Sequence, residues 1–170
     1  MKIITEIVVD KPVRMVWDVL GNQFGNAHVW GSALIHTEGS GRQLSGQVCE
    51  SRTCDIKGMG RIRENLLEFD PENFALKYEV VQGFPFFVER GVNLWTLTEE
   101  GAATRVRSVA EITTKGIVGA MMAPMMKMQM TGLMQKLVED LKHYVETGMP
   151  HPRKLKAFAS RKPAKGLEAR

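Results

Sequence analysis

The sequence predicts an α+β domain: a curved antiparallel sheet of seven strands around one long C-terminal helix, with two short helices after the first strand. Three observations lead there. A β-branched run, KIITEIVV at 2–9, is followed by a short helical pattern. Six strand-like runs separated by turn-rich breaks fill residues 33–115. A helical apolar stripe then runs to Thr147 and meets Gly148. Such a sheet must bury one face, and the last helix is the only amphipathic element long enough to cover it.

Each element has its own signal. Asp10 and Pro12 mark a helix start, because proline is pre-organised for a first helical turn. Val13, Val16, Trp17 and Leu20 follow at i, i+3, i+4 and i+7, one apolar face with Trp17 in the core, and Gly21 ends it. GNAHVW at 25–30 reads as a second short helix or turn. Strands are expected near 33–38, 46–56, 59–69, 74–82, 86–98 and 103–114. The breaks between them, among them KGMG, DPEN and QGFP, are hairpin-sized and argue for a meander. In the final helix Met122, Met126, Met130, Leu133, Leu137, Leu141 and Tyr144 form a continuous stripe. Pro124 must either kink this helix or mark the start of its long part.

Composition narrows the function classes. The chain has 170 residues, 44% hydrophobic and 25% charged, ordinary values for a globular domain. No apolar run approaches the roughly 20 residues needed to cross a bilayer. The N-terminus lacks a signal-peptide pattern, so a cytoplasmic location is expected. Cys49 and Cys54 lie on opposite faces of one strand and cannot bond to each other. With no metal knuckle, phosphate loop or nucleophile–base pair, no cofactor and no metal are expected. Charge is uneven. Residues 149–170 hold seven Lys or Arg and one acid, Glu168, whereas residues 1–148 hold 16 basic and 18 acidic residues. The basicity belongs to a tail, expected to be disordered, and no nucleic-acid partner is expected. The folded, ligand-binding domain is thus expected to span 1–148.

The opening strand followed by KPVRMVWDVL, the strand pair SRTCDIKGMGRIRENLLEFD, the KYEVVQGFPF hairpin and the closing helix together resemble the START, polyketide cyclase and Bet v-type (SRPBCC) superfamily. The resemblance covers about residues 2–148 and rests on pattern more than on a catalytic signature. It implies the helix-grip fold, and a protein that binds hydrophobic ligands, transfers lipids, or cyclises and dehydrates polyketides. It also implies that His28 and Trp30 lie near the cavity mouth.

Strand alternation then proposes the interior. Even-numbered residues face inward in the runs around Phe74–Val80 and Val106–Ile112, and the same parity selects Ile62, Glu64 and Leu66, and Val48, Glu50, Arg52 and Cys54. A turn centred on Gly58 sets Arg52 opposite Glu64 and Cys54 opposite Ile62. The QGFP turn, treated the same way, sets Tyr78 near Arg90. The expected interior is apolar with a polar seam of Glu50, Arg52, Glu64, Tyr78, Arg90 and Ser108. A one-residue bulge would turn one member of the Arg52–Glu64 pair to solvent, as a structural ion pair at a strand end. Seven of the chain's 11 methionines fall between Met121 and Met134. Such flexible side chains suit an adaptable pocket wall, although simple core packing also accounts for any one of them. The expected pocket has Met122, Met126, Met130 and Leu133 on one side and Leu66, Tyr78, Val92 and Ala110 on the other.

Two functions fit. One is the binding or carriage of a small hydrophobic or amphipathic molecule, lipid- or polyketide-like. The other is a polyketide cyclase/aromatase- or dehydratase-like enzyme in which Arg52 polarises a carbonyl and Glu64 or Tyr78 moves a proton. A carboxylate paired with a guanidinium makes a poor general acid, which favours binding. The basic tail adds a weak contact with anionic membranes as a further reading, beside a merely solvated tail. Oligomeric state is not legible.

Overall fold

The computed structural model describes residues 1–45 and 48–159, and side chains at all of these except 43–45 and 157–159. The order is β1 (Lys2–Val9), α1 (Val13–Leu20), a 3₁₀ turn (Phe24–Val29), β2 (Leu34–Ser45), β3 (Val48–Ile56), β4 (Gly60–Asp70), β5 (Ala75–Gln82), β6 (Val88–Glu100), β7 (Ala103–Thr114), α2 (Gly116–Thr147) and α3 (Pro152–Ala159). The strands form one antiparallel sheet ordered β1-β7-β6-β5-β4-β3-β2. It is a meander from β2 to β7, closed by β1 pairing with β7. This is the α+β helix-grip arrangement, with α2 lying across the concave face.

The local reasons are those the sequence carries. α1 buries Val13, Val16, Trp17 and Leu20, its single apolar face. α2 stops at Gly148, whose φ of 73° suits a residue without Cβ, and whose N–H bonds the Tyr144 carbonyl at 2.8 Å. α2 runs through Pro124 as one helix, at the loss of one backbone hydrogen bond. The buried seam of α2 is Met134, Val138, Leu141 and Val145. It shares Leu141 with the expected stripe and otherwise lies one position C-terminal to it, and Met130, Leu133, Leu137 and Tyr144 of that stripe are partly buried. The N-terminal half of α2 is more open, with Met121 and Met128 exposed.

Three strand expectations need correction. β2 continues through the GSG break to Ser45, with register shifts beyond Ser40. This irregular pairing turns Glu50 outward, where it meets Arg42 at 3.4 Å. The β5–β6 connection is a longer loop than the QGFP turn suggests, so Tyr78 faces Asn93 and not Arg90. A shift between Val88 and Arg90 also reverses the parity of β6, so Gly91, Asn93, Trp95 and Leu97 are its buried positions. Gly83 makes this loop feasible: its φ is 98°, and a Cβ there would lie 2.2 Å from the Arg61 carbonyl oxygen.

The expectation of disorder from residue 149 onward does not hold for 152–159, which form α3. Two ionic contacts dock that helix, one of them on a buried acid. Arg153 Nε donates to Asp140 Oδ1 at 2.6 Å and its Nη2 to Glu139 Oε2 at 2.9 Å. Asp140 is fully buried and also accepts the Ser32 N–H at 2.7 Å. Lys154 Nζ donates to the carbonyls of Gly31 and Leu34 at 2.8 and 3.1 Å. The contacts of Arg153 and Lys154 that dock this segment are ionic and polar, a signal that hydrophobic periodicity does not carry. The tail's remaining basic residues, Arg161, Lys162, Lys165 and Arg170, lie outside the described residues.

Candidate functional site

The site starts from a register. Gly58 and Gly60 have φ of 79° and 91°, so the β3–β4 connection closes tightly around 57–59. The ladder then pairs Cys54 with Ile62 and Arg52 with Glu64. Both charged residues lie on the concave face, Arg52 7% and Glu64 5% exposed. Arg52 Nε donates to Glu64 Oε2 at 2.5 Å, and the Cys54 thiol donates to the same oxygen at 3.4 Å.

The guanidinium is held from three further directions. Its Nη1 donates to the Phe24 carbonyl at 2.8 Å. Its plane lies 4.0 Å from the Phe24 ring centre and 4.9 Å from that of Tyr78. Two aromatic faces and a carboxylate replace the water lost on burial. Burial alone would lower the Arg52 pKa, but Glu64, with lesser help from Cys54 and Tyr78, outweighs it and holds the guanidinium above its ordinary value. Burial pushes the Cys54 thiol up to about 12, with Arg52 opposing and Glu64 adding. Burial likewise raises Tyr78 to about 12, helped by Glu64 and opposed by Arg52. Neither is ionised near neutrality.

A second polar chain continues across β5, β6 and β7. Ser108 Oγ donates to Asn93 Oδ1 at 2.9 Å, and Asn93 Nδ2 donates to the Tyr78 hydroxyl at 3.0 Å. Trp95 Nε1 donates to the same hydroxyl at 3.4 Å. All four residues are buried.

Of these groups Arg52, Glu64, Tyr78 and Asn93 border a cavity of about 90 Å³ between sheet and helix, and Ser108, expected in the same seam, is bonded to Asn93 outside that lining. Arg52, Glu64, Tyr78, Val92, Ala110, Met130 and Leu133, all expected from the sequence, lie along it. Its other walls include Met59, Phe84, Asn93 and Met134. Val92 borders the cavity from a strand whose inward positions are its neighbours, Gly91 and Asn93. Met122 and Met126 line a separate, outer space of about 260 Å³ between the 83–88 segment and α2. Met59, Phe84, Ile112 and Met130 border both spaces.

Four expected residues lie elsewhere. Trp30 is 4% exposed and packs in the core, away from the cavity lining. Leu66 is a partly buried neighbour of that core. Arg90 points outward, 3.4 Å from Glu79. Glu50 is on the outer surface, as described above. His28 forms no acid–base pair with the cavity groups. Its Nδ1 lies 2.6 Å from Thr37 Oγ1, and burial, with His36 and Lys154, lowers its pKa.

Sequence reasoning missed Phe24, Asn93, Phe84 and Met59. Phe24 follows Gly21 in a turn without periodicity, and Asn93 required the true β5–β6 register. Phe84 had a usable signal. Gly91 faces it, and a Cβ at 91 would lie 2.5 Å from its ring. Among the described residues no group of three or more His, Cys, Asp or Glu is placed to hold a metal, and no helix is long and apolar enough to cross a membrane.

Known structures share this architecture. A START superfamily protein from Mycobacterium smegmatis superposes with a TM-score of 0.72 at 14% identity, covering 87% of this chain and 99% of that one. Truncated norcoclaurine synthase from Thalictrum flavum gives 0.70 at 15% identity, covering 86% and 94%. The di-domain ARO/CYC protein BexL from the BE-7585A biosynthetic pathway gives 0.68 at 18%, covering 86% of this chain and 46% of that one. At such identities these similarities speak for the fold alone. No curated protein matches in a sequence comparison. The sequence profile described as polyketide cyclase / dehydrase and lipid transport matches residues 1–146, and the chain belongs to that family.

Proposed function

We propose that the protein binds a small apolar molecule in the cavity beneath α2 and orients it through the Arg52–Glu64 pair. The observation that carries this reading is the pair itself, on the wall of a mostly apolar cavity. Burying two ions costs several kcal/mol each, and apolar residues of similar volume often do as well for stability. A retained charge pair beside open space is better explained by a ligand than by packing.

Size sets the class of guest. An engineered cavity of about 150 Å³ accepts benzene, whereas drug-sized pockets hold roughly 300–1,000 Å³. The 90 Å³ present here fits a one-ring molecule after modest movement of Met130, Met134 and Met59. A longer, lipid- or polyketide-like guest would extend past Met59 and Met130 into the adjoining 260 Å³ space.

Carriage is favoured over catalysis. The Arg52 guanidinium is already engaged by a carboxylate, a carbonyl and two rings, which leaves little of it to polarise a substrate carbonyl. Cys54 and Tyr78, both raised to about 12, are a poor nucleophile and a poor acid at neutral pH.

The test is a calorimetric titration of the full chain with toluene, beside Ala110→Leu. Ala110 is 5% exposed on the cavity floor, so a leucine there fills the space. The native protein should bind toluene, and the variant should melt as a folded protein without binding it. Failure of the native protein to take up toluene would end the proposal.

A further inference from the structure

Resting on that binding role, we infer that the guest carries one uncharged hydroxyl group, whose hydrogen goes to Glu64 and whose oxygen receives the hydroxyl hydrogen of Tyr78. Two polar groups on the cavity wall have hydrogen-bonding capacity that no described residue uses.

The first is Glu64. Its Oε2 accepts from Arg52 Nε and Cys54 Sγ. Its Oε1 accepts from no described residue, although the side chain is 7% exposed and borders the cavity. A carboxylate oxygen in so dry a site calls for a donor.

The second is Tyr78, 6% exposed. Its oxygen accepts from Asn93 Nδ2 and Trp95 Nε1, which together fill its two acceptor positions. The indole can only donate, and in the structure Asn93 presents its Oδ1 to Ser108 and its Nδ2 to the tyrosine. The phenolic hydrogen remains, and no described residue accepts it.

The two groups are close by register. Glu64 faces Val80 and Leu66 faces Tyr78 in the β4–β5 ladder, so Glu64 and Tyr78 are one diagonal step apart on the same face. A hydroxyl is the smallest group that donates and accepts at once. Charge excludes the small ionic headgroups. An ammonium ion would approach Arg52, a carboxylate would approach Glu64, and the pair has no net charge to offset either. The remaining lining, including Ala110, Ile112, Met130 and Leu133, asks for an apolar body. The guest is therefore a phenol or a compact alcohol.

Isosteric probes test this on the full chain. p-Cresol and p-xylene differ by one hydroxyl in place of a methyl group, and 4-methylbenzoate and 4-methylbenzylamine supply the two charges. Calorimetry should show p-cresol binding about tenfold tighter than p-xylene, equivalent to about 1.4 kcal/mol, with both charged probes weaker than p-xylene. Tyr78→Phe should bring the p-cresol to p-xylene ratio close to one while p-xylene still binds. Should that variant not fold, methyl NMR of the native protein locates the guest: p-cresol should shift Met130 and Met134 and leave the exposed Met149 unmoved. Equal affinity for p-cresol and p-xylene would overturn the hydroxyl inference and leave the cavity reading intact, as would tighter binding of either charged probe. Unmoved Met130 and Met134 signals would overturn the assigned site. Uptake of none of the four would overturn both.

Discussion

The Arg52 guanidinium lies against both the Phe24 and Tyr78 rings, which also touch each other, with the Glu64 carboxylate at its edge, so each partner is satisfied only while the others stay. Glu64→Gln removes the countercharge and leaves Arg52 with a carbonyl and two rings. Breaking such a pair from one side should cost about 3–5 kcal/mol. Urea denaturation should show this as a lowered midpoint with an unchanged slope, and an unchanged midpoint would mean that water already stabilises the pair. Cys54 supplies a pH test. Its folded pKa, about 12, lies above an unfolded value of about 8.5. Its contribution to stability is therefore complete below pH 8.5 and is lost as pH rises toward 12. Native protein alkylated at pH 8 should keep Cys54 unmodified by peptide mass spectrometry, and rapid labelling would contradict the burial assigned to it. At this scale Arg52 and Glu64 were legible because a tight glycine turn transmits register over only a few residues. Arg90 and Glu50 were not, because a five-residue loop and an irregular β2–β3 pairing each displaced the count.

α3 sits against the segment that walls the cavity. Lys154 bonds the carbonyls of Gly31 and Leu34, Asp140 bonds both Ser32 and Arg153, and Ala33 and Leu34 line the cavity. A chain ending at Gly148 leaves Asp140 buried without its guanidinium, and should lose about 3 kcal/mol. A chain ending at residue 159 keeps every one of these contacts and should melt like the full chain. Thermal melts of the two truncations check this, and equal melting temperatures would show that α3 adds nothing. The strands and α2 could be read from period and punctuation, since burial of one face imposes them. α3 could not, because Arg153 announces an ion pair only once its partner, Asp140, is known to be buried, and nothing in the sequence marks the Gly31 and Leu34 carbonyls that Lys154 meets.

Across the whole molecule, α2 is buried along only part of its length. Contact is complete near Val138, Leu141 and Val145, all nearly inaccessible, and opens toward Met130 and the methionines before it. The cavity thus lies where the helix leaves the sheet, next to the Arg52–Glu64 pair on the concave face. Diffraction from crystals of the full chain grown with p-xylene tests this most directly. One guest should give ordered density bounded by Tyr78, Ala110, Met130 and Leu133, with the Arg52–Glu64 contact intact beside it. A closed core at that place, or a guest found only on the surface, would contradict it.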